Sequence, residues 1–234
     1  MGENGAVIAA VVFDLDGVLI DSEPVWERVR RSYVGEHGGS WPAGAQERLM
    51  GMSTAEWARY LSEEAGVDQP PEEVAAAVIG LMADQYAQEL PLISGALDAV
   101  ERCGRRWPLG LASSSPRSLI DTVLATAGLA HRFAVSVSSE EVARGKPAPD
   151  VYLAAVAGLG LAPGQCVAVE DSTNGVLSAA AAGLAVVAIP RPGYPPSAHA
   201  LRRAAIVVGD LAAVTATSLQ ELEPGGGRGV QAHP

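Results

Sequence analysis

The sequence predicts an α/β fold, a parallel sheet covered by helices on both faces and interrupted by an all-helical insert. Three observations carry that prediction. Aliphatic strand-like stretches alternate with helical patterns through the second half of the chain, as chained βαβ units require. A long segment after the first stretch holds helical patterns but no convincing buried strand. The first stretch ends in two carboxylates, Asp14 and Asp16, at the strand tip where open α/β sheets place their ligands.

Taken in order, residues 6–12 are Ala, Val and Ile throughout and lead into Phe13. They read as a buried strand followed by a turn. Residues 23–90 break the rhythm with helix-like segments at 24–35, 43–49, 54–64 and 72–88, and 91–94 return the chain to the sheet. Further strands are expected at 109–112, 133–137, 166–169, 185–189 and 205–208, with helices at 116–127, 150–159 and 173–182. Ser115-Pro116 reads as a helix start, an N-cap followed by proline at the first helical position. The expected division is an α/β core of residues 1–22 and 91–222, a helical insert of 23–90, and a disordered tail of 223–234 running through Gly225-Gly226-Gly227. No internal repeat is visible.

Composition narrows the class. The 234 residues suffice for one large domain or a domain with an insert. Hydrophobic residues make up 48% and aromatics only 5%, so the core must be aliphatic. A net charge of -11 argues against a nucleic-acid partner, which needs a basic face. No apolar run reaches the length of a membrane span, and no basic region precedes the short apolar run at the start. A cytoplasmic protein with no membrane partner is expected. Cys103 and Cys166 match no metal spacing and read as free buried thiols of a reducing compartment.

Four short segments line up at predicted strand tips: Asp14-Leu15-Asp16-Gly17, Ser113-Ser114-Ser115, Gly145-Lys146-Pro147, and Glu170-Asp171. Asp14 and Asp16 lie two positions apart, so on an extended backbone both point the same way. Two carboxylates forced together do not both ionise comfortably. Either a cation holds them, or one carries a proton, or they belong to a solvated turn. The serine segment precedes a helix start, where hydroxyls and free N–H groups can hold a phosphate. Of the 16 basic residues 15 are arginine and only Lys146 is lysine, which suits a site that needs a compact point charge rather than a planar fork. Asp14, Asp171 and Glu170 offer hard oxygen ligands of the kind a small divalent cation such as Mg²⁺ accepts.

These four segments, in this order, resemble the four motifs of the haloacid dehalogenase superfamily. The likeness runs from residue 7 to about residue 211, and Val18-Leu19-Ile20-Asp21-Ser22-Glu23-Pro24-Val25-Trp26 is similar to the sugar-phosphate phosphatases of its β-phosphoglucomutase-like branch, of the 2-deoxyglucose-6-phosphatase type. The resemblance implies a Rossmann-like parallel-sheet core with an inserted α-helical cap. It implies an Mg²⁺-dependent phosphomonoester hydrolase acting on a small phosphorylated metabolite, a sugar phosphate in particular. Asp14 is then the nucleophile that forms an aspartyl-phosphate. Asp16 is the general acid and base, with its backbone carbonyl on the metal. Ser113, Ser114 and Lys146 hold the phosphoryl group, and Asp14, Asp16, Glu170 and Asp171 bind the metal.

The resemblance also sorts the reactions. Dehalogenases of the superfamily lack the second aspartate, which is Asp16 here. Phosphonoacetaldehyde hydrolases need a lysine in the cap, and residues 23–90 contain none. The nearest rival, a β-phosphoglucomutase, grips a second phosphate with cap cations and carries a histidine after the first motif. The matching positions here hold Met50, Thr54 and Trp26, so hydrolysis is expected. Around Leu49-Met50-Gly51-Met52-Ser53, Met50, Gly51 and Ser53 are candidate substrate contacts, as are Trp26 and Trp57; the two tryptophans and Met50 can equally be core of the insert. Arg102, Arg105 and Arg106 read as a solvated helix end. A catalytically silent binding module would have lost Asp14, Asp16 or Lys146, and all three stand. A monomer is expected.

Overall fold

A computed structural model describes residues 8–50 and 52–222. Its centre is a six-stranded sheet of strands β1 (Ala10–Phe13), β2 (Leu109–Ser113), β3 (Phe133–Ser138), β4 (Cys166–Glu170), β5 (Ala185–Ala188) and β6 (Ile206–Val207). Every pairing is parallel and the spatial order is β3-β2-β1-β4-β5-β6. The order reverses on either side of β1, so the tips of β1, β2 and β4 open onto the crevice that such a reversal creates.

Alternation along the strands builds two apolar layers. Val11 and Phe13 of β1, Leu109 and Leu111 of β2, and Val167 and Val169 of β4 enter one layer. Ala10 and Val12, Ala112, and Cys166 and Ala168 enter the other. The first layer is covered by α5 (Ala96–Gly104) and α6 (Arg117–Thr126), the second by α7 (Asp150–Gly158) and α8 (Thr173–Ala182). Phe13 packs edge-on against Phe133 at 6.4 Å. The rest of the interior is aliphatic, as the low aromatic content requires.

Four helices form the insert between β1 and α5: α1 (Glu23–Glu36), α2 (Ala45–Leu49), α3 (Thr54–Glu63) and α4 (Pro71–Gln88). Each sits within two residues of the position its sequence pattern predicts. Ser53 closes α3 with a full capping box, its side chain accepting from the Glu56 N–H while Glu56 returns to the Ser53 N–H. The buried stripe Val74, Val78, Met82 and Tyr86 of α4 joins the same apolar layer as Leu119, Ile120 and Val123 of α6. The insert is therefore continuous in packing with one face of the sheet.

The structure corrects several sequence expectations. The helix whose end the sequence places at Arg102–Arg106 is α5, and two short helices after β5, α9 (Ala198–Leu201) and α10 (Ala216–Gln220), have no counterpart in the sequence reading. Ser115 does not cap α6. Pro116 holds the cap position without a side-chain bond, and Glu140 takes the Arg117 N–H at 3.0 Å instead. Arg102 is not a solvated helix end, because its guanidinium donates to the carbonyls of Val214 at 2.9 Å and Leu211 at 2.7 Å. Arg105 and Arg106 are exposed as expected. The expected tail at 223–234 and the candidate contact Gly51 lie outside the described residues.

The close approach of α7 to the sheet gives a test of the packing. A Cβ on Gly158 would lie 2.7 Å from a methyl of Val135. Replacing Gly158 by Val should destabilise the fold by about 1–3 kcal/mol through overpacking, read as a lowered urea midpoint. An unchanged midpoint would show that α7 is not seated this tightly.

Candidate active site

The site grows from the tip of β1. The Asp14 N–H donates to the Val169 carbonyl at 3.0 Å and continues the ladder one residue past the strand. The Asp14 carboxylate is buried, and its Oδ1 accepts from the Leu15 N–H at 2.8 Å. The chain then turns sharply through Gly17 at φ +78°, where a Cβ would lie 1.8 Å from Asp171 Oδ2. Only glycine both adopts this backbone and leaves room for that carboxylate.

Asp16 is tied across the cleft to the tip of β2. Its Oδ2 accepts from Ser115 Oγ at 2.7 Å and from Ser113 Oγ at 3.2 Å. Ser113 is wholly buried, and its Oγ also accepts from the Ser115 N–H at 3.0 Å. The hydroxyl expected to meet a phosphate is therefore turned to Asp16, while Ser114 lines the open space. This competition for hydroxyls explains why Ser115 abandons the helix cap: a hydrogen bond to a carboxylate is roughly twice as strong as a neutral one.

Lys146 binds two acids from two different strand tips. Its Nζ lies 2.9 Å from Asp14 Oδ1 and 2.6 Å from Glu170 Oε1, with the side chain only 4% exposed. Burial alone would depress the ammonium, but Asp14 and Glu170 hold it above its ordinary value. Tyr152 donates its phenol to the same Glu170 Oε1 at 2.7 Å. Glu170 Oε2 accepts from Ser172 Oγ and from the Asp171 N–H, each at 3.2 Å. A Cβ on Gly175 would fall 1.9 Å from either Glu170 oxygen, so the start of α8 must be glycine there for this carboxylate to fit.

One ammonium does not balance the acids gathered here. Burial, reinforced by Glu170 and opposed by Lys146, pushes Asp14 well above the usual carboxylate range. Burial and then the Glu170 charge push Asp171 up to about 8. Asp171 Oδ1 and Asp16 Oδ1 are buried without a hydrogen-bond partner. Ligand oxygens of Asp14, Glu170 and Asp171 all lie within 4.8 Å of one another. Crowded hard oxygens, two orphaned acceptors and an excess of negative charge are what a divalent cation resolves.

These groups sit at the floor of a cleft of about 420 Å³. The insert closes one side of it with Glu23, Met50 and Met52, next to Ser22 just before α1. Trp26 and Trp57 do not line it. They pack against each other at 5.8 Å in the core of the insert and sandwich the Arg30 guanidinium at 4.4 and 4.9 Å. Ser53 also stands back from the cleft as the cap of α3. The far rim is Arg191, Tyr194 and Pro195, beyond the tip of β5, and Arg191 bridges to Asp21 at 2.8 Å. Sequence reasoning passed over this loop, although it follows the same rule of strand tips that marked the other four segments. It also missed Tyr152, whose partner lies 18 residues away and leaves no local signal.

Comparison with known proteins agrees with this geometry. The haloacid dehalogenase-like hydrolase family matches residues 8–183. Hexitol phosphatase B of Escherichia coli strain K12 is 34% identical over 192 residues, which is 79% of this chain and 85% of that protein. Fructose-1-phosphate phosphatase YqaB of the same organism is 32% identical over 183 residues, 76% of this chain and 95% of that protein. The crystal structure of CbbY from Rhodobacter sphaeroides in complex with phosphate superposes with a TM-score of 0.77 at 25% identity, covering 88% of this chain and 95% of that one. The matched span begins with the strand that delivers Asp14 and ends with the helix behind Asp171, and on this likeness of sequence and fold the chain belongs to the haloacid dehalogenase-like hydrolase family.

Proposed function

We propose that the chain is an Mg²⁺-dependent phosphomonoester hydrolase that acts on a small sugar phosphate through an aspartyl-phosphate on Asp14. The observation that carries this reading is the convergence of Asp14, Asp16, Ser114, Lys146 and Asp171 on one cleft, with Lys146 2.9 Å from the Asp14 carboxylate. Asp14 engages Oδ1 with Leu15 and Lys146, which leaves its other oxygen to attack phosphorus. As that O–P bond forms, the bond from phosphorus to the ester oxygen breaks, and Asp16 passes its proton to the departing alkoxide. Water then attacks the aspartyl-phosphate, Asp16 takes the proton back, and inorganic phosphate leaves. Lys146 and the backbone around Ser114 face the charge that spreads over the phosphoryl oxygens.

The donor set fits Mg²⁺. Asp14, Asp171 and the Asp16 carbonyl would hold it, with Glu170 as a direct or water-mediated ligand, and when bound it supplies neutralising charge and Lewis acidity to the phosphoryl group. Hydrolysis is favoured over mutase chemistry because the insert presents Met50 and Met52 to the cleft, and thioethers cannot clamp a second phosphate. The phosphatase names of the two Escherichia coli relatives support the same choice. A mutase would convert β-glucose 1-phosphate to the 6-phosphate without releasing free phosphate, so a malachite-green assay beside an isomer assay decides between the two.

Replacing Asp14 by Asn should lower turnover of p-nitrophenyl phosphate by at least about 10³-fold. Thermal stability should hold or rise, since one crowded acid is gone. Retained turnover would remove Asp14 from the nucleophile's role. Replacing Asp16 by Asn should cost about 10²–10⁴-fold on an alkyl phosphate but far less on p-nitrophenyl phosphate, whose leaving group needs no proton; equal losses would argue against the acid. A third expectation concerns pH. A folded acid with a raised pKa keeps a proton that the unfolded chain has already lost, so stability falls as pH climbs between the two values. With EDTA present, Tm should fall from pH 5 towards pH 8 as Asp171, at about 8 in the fold, and Asp14 are forced to ionise. Added Mg²⁺ should raise Tm, and most at the alkaline end. A Tm indifferent to Mg²⁺ across that range would contradict the metal assignment.

A further inference from the structure

Tyr152 is a buried polar side chain that the phosphoryl chemistry does not touch. It is wholly buried on α7, in the apolar layer that also holds Val12, Val151, Ala155 and Ala168, and it does not line the cleft. Packing alone would be met by phenylalanine, which has the same ring and no polar atom to bury. The hydroxyl answers to the site instead, since it donates to Glu170 Oε1 at 2.7 Å.

That oxygen is the one on which Lys146 rests. The ammonium lies 2.6 Å from Glu170 Oε1 and 2.9 Å from Asp14 Oδ1, and 5.1 Å from the centroid of the Tyr152 ring, within reach of cation–π attraction. One side chain therefore touches both members of the pair, the carboxylate with its hydroxyl and the ammonium with its ring. Glu170 Oε2 is held differently, by the Asp171 N–H and Ser172 Oγ of its own turn. Those donors move with Glu170. Tyr152 stands on a separate helix and ties the carboxylate to the rest of the core.

The Glu170 backbone is already set, because its carbonyl accepts from the Ile189 N–H at 2.7 Å. What is left to fix is the terminal torsion of the side chain, which is intrinsically broad. A carboxylate released on its Oε1 side would turn and draw the ammonium with it, away from Asp14. We infer that Tyr152 is a positioning residue: by holding Glu170 Oε1 from α7, it keeps the Lys146 ammonium aligned on Asp14. The consequence for rate rests on the phosphatase reading, in which Lys146 faces the phosphoryl oxygens; the consequence for the ammonium does not.

Tyr152→Phe removes the hydroxyl and leaves the ring. With Mg²⁺, kcat of the full chain should fall about ten-fold or more on both p-nitrophenyl phosphate and an alkyl phosphate, with little change in KM. Equal loss on the two esters separates this role from that of Asp16. A cycle with Glu170→Gln shows through which residue the phenol acts. In the Glu170→Gln background the second change should cost less than about two-fold more, whereas fully additive losses would overturn the inference. A second readout needs no turnover. Lys146 is the one lysine of the chain, so protein labelled with ¹⁵N-lysine gives a single side-chain ammonium resonance, which should shift and broaden in Tyr152→Phe. A resonance and a kcat both unchanged in the folded variant would overturn the positioning role and leave the phosphatase reading intact. A Tyr152→Phe chain that does not fold would assign the hydroxyl to the stability of the fold and overturn the role as well. If the wild type releases no phosphate from either ester, the phosphatase reading falls; a resonance that still moves in the variant would uphold the control of Lys146 by Tyr152, and one that does not would overturn both.

Discussion

The pairing of Lys146 with Asp14 and Glu170 is the interaction on which the rest of the site depends. Three acids from two strand tips meet within a few ångströms, and the burial that makes them reactive also makes their shared charge expensive. A single ammonium at 2.9 and 2.6 Å removes part of that cost and fixes two carboxylates relative to each other. The remaining excess shows in Asp171, lifted to about 8. The fold thus concentrates buried negative charge on a cluster of hard oxygens from Asp14, Glu170 and Asp171, the kind of surplus that a divalent cation neutralises. An arginine in place of Lys146 would not be equivalent, because a planar fork replaces the compact point charge that meets both carboxylates through one nitrogen.

The rigidity of this arrangement comes from residues that carry no charge. Tyr152 and Ser172 also donate to Glu170, which holds the carboxylate beside Lys146. Gly17 and Gly175 are voids filled by neighbouring acids, Asp171 in one case and Glu170 in the other. Both glycines are dictated by the carboxylates beside them, and at Gly17 also by a backbone that L-residues rarely adopt. Ser113 and Ser115 brace Asp16 from the next strand. The parallel sheet supplies what these contacts need, four strand tips at fixed spacing with helices starting just beyond them.

Much of this was legible in the sequence, and the parts that were not share a cause. Strand tips are marked by local pattern, so Asp14, Asp16, Lys146, Glu170 and Asp171 stand out in the sequence, and the lone lysine stands out by composition alone. The helices of the insert were placed within two residues because their apolar periodicity and caps are local too. What escaped was partner choice at long range. Ser115-Pro116 carries every sign of a helix cap, yet a carboxylate 99 residues away takes the hydroxyl. Arg102 carries every sign of a solvated helix end, yet two carbonyls more than 100 residues on take its guanidinium. Trp26 and Trp57 could not be divided between pocket and core, because helical spacing says which face a residue shares and not what lies opposite.

The insert and the sheet divide the labour along a physical line. The groups we propose for phosphoryl transfer come from strand tips and the loops that follow them, where the five strand pairings of the sheet fix the backbone and misplacement by an ångström would be costly to the rate. Groups on the insert come from helix starts and turns, which tolerate substitution and can follow a changing ligand. Arg30 is the informative case. A guanidinium buried between two indoles, without a carboxylate in contact, stabilises the insert poorly, because desolvation takes it down to about 10 and little is returned except from Glu23. A residue kept only for packing would be better replaced by an apolar side chain of the same size. Its charge opposes part of what burial does to the Glu23 carboxylate, so a cation inside the insert is set against an acid at the edge of the cleft.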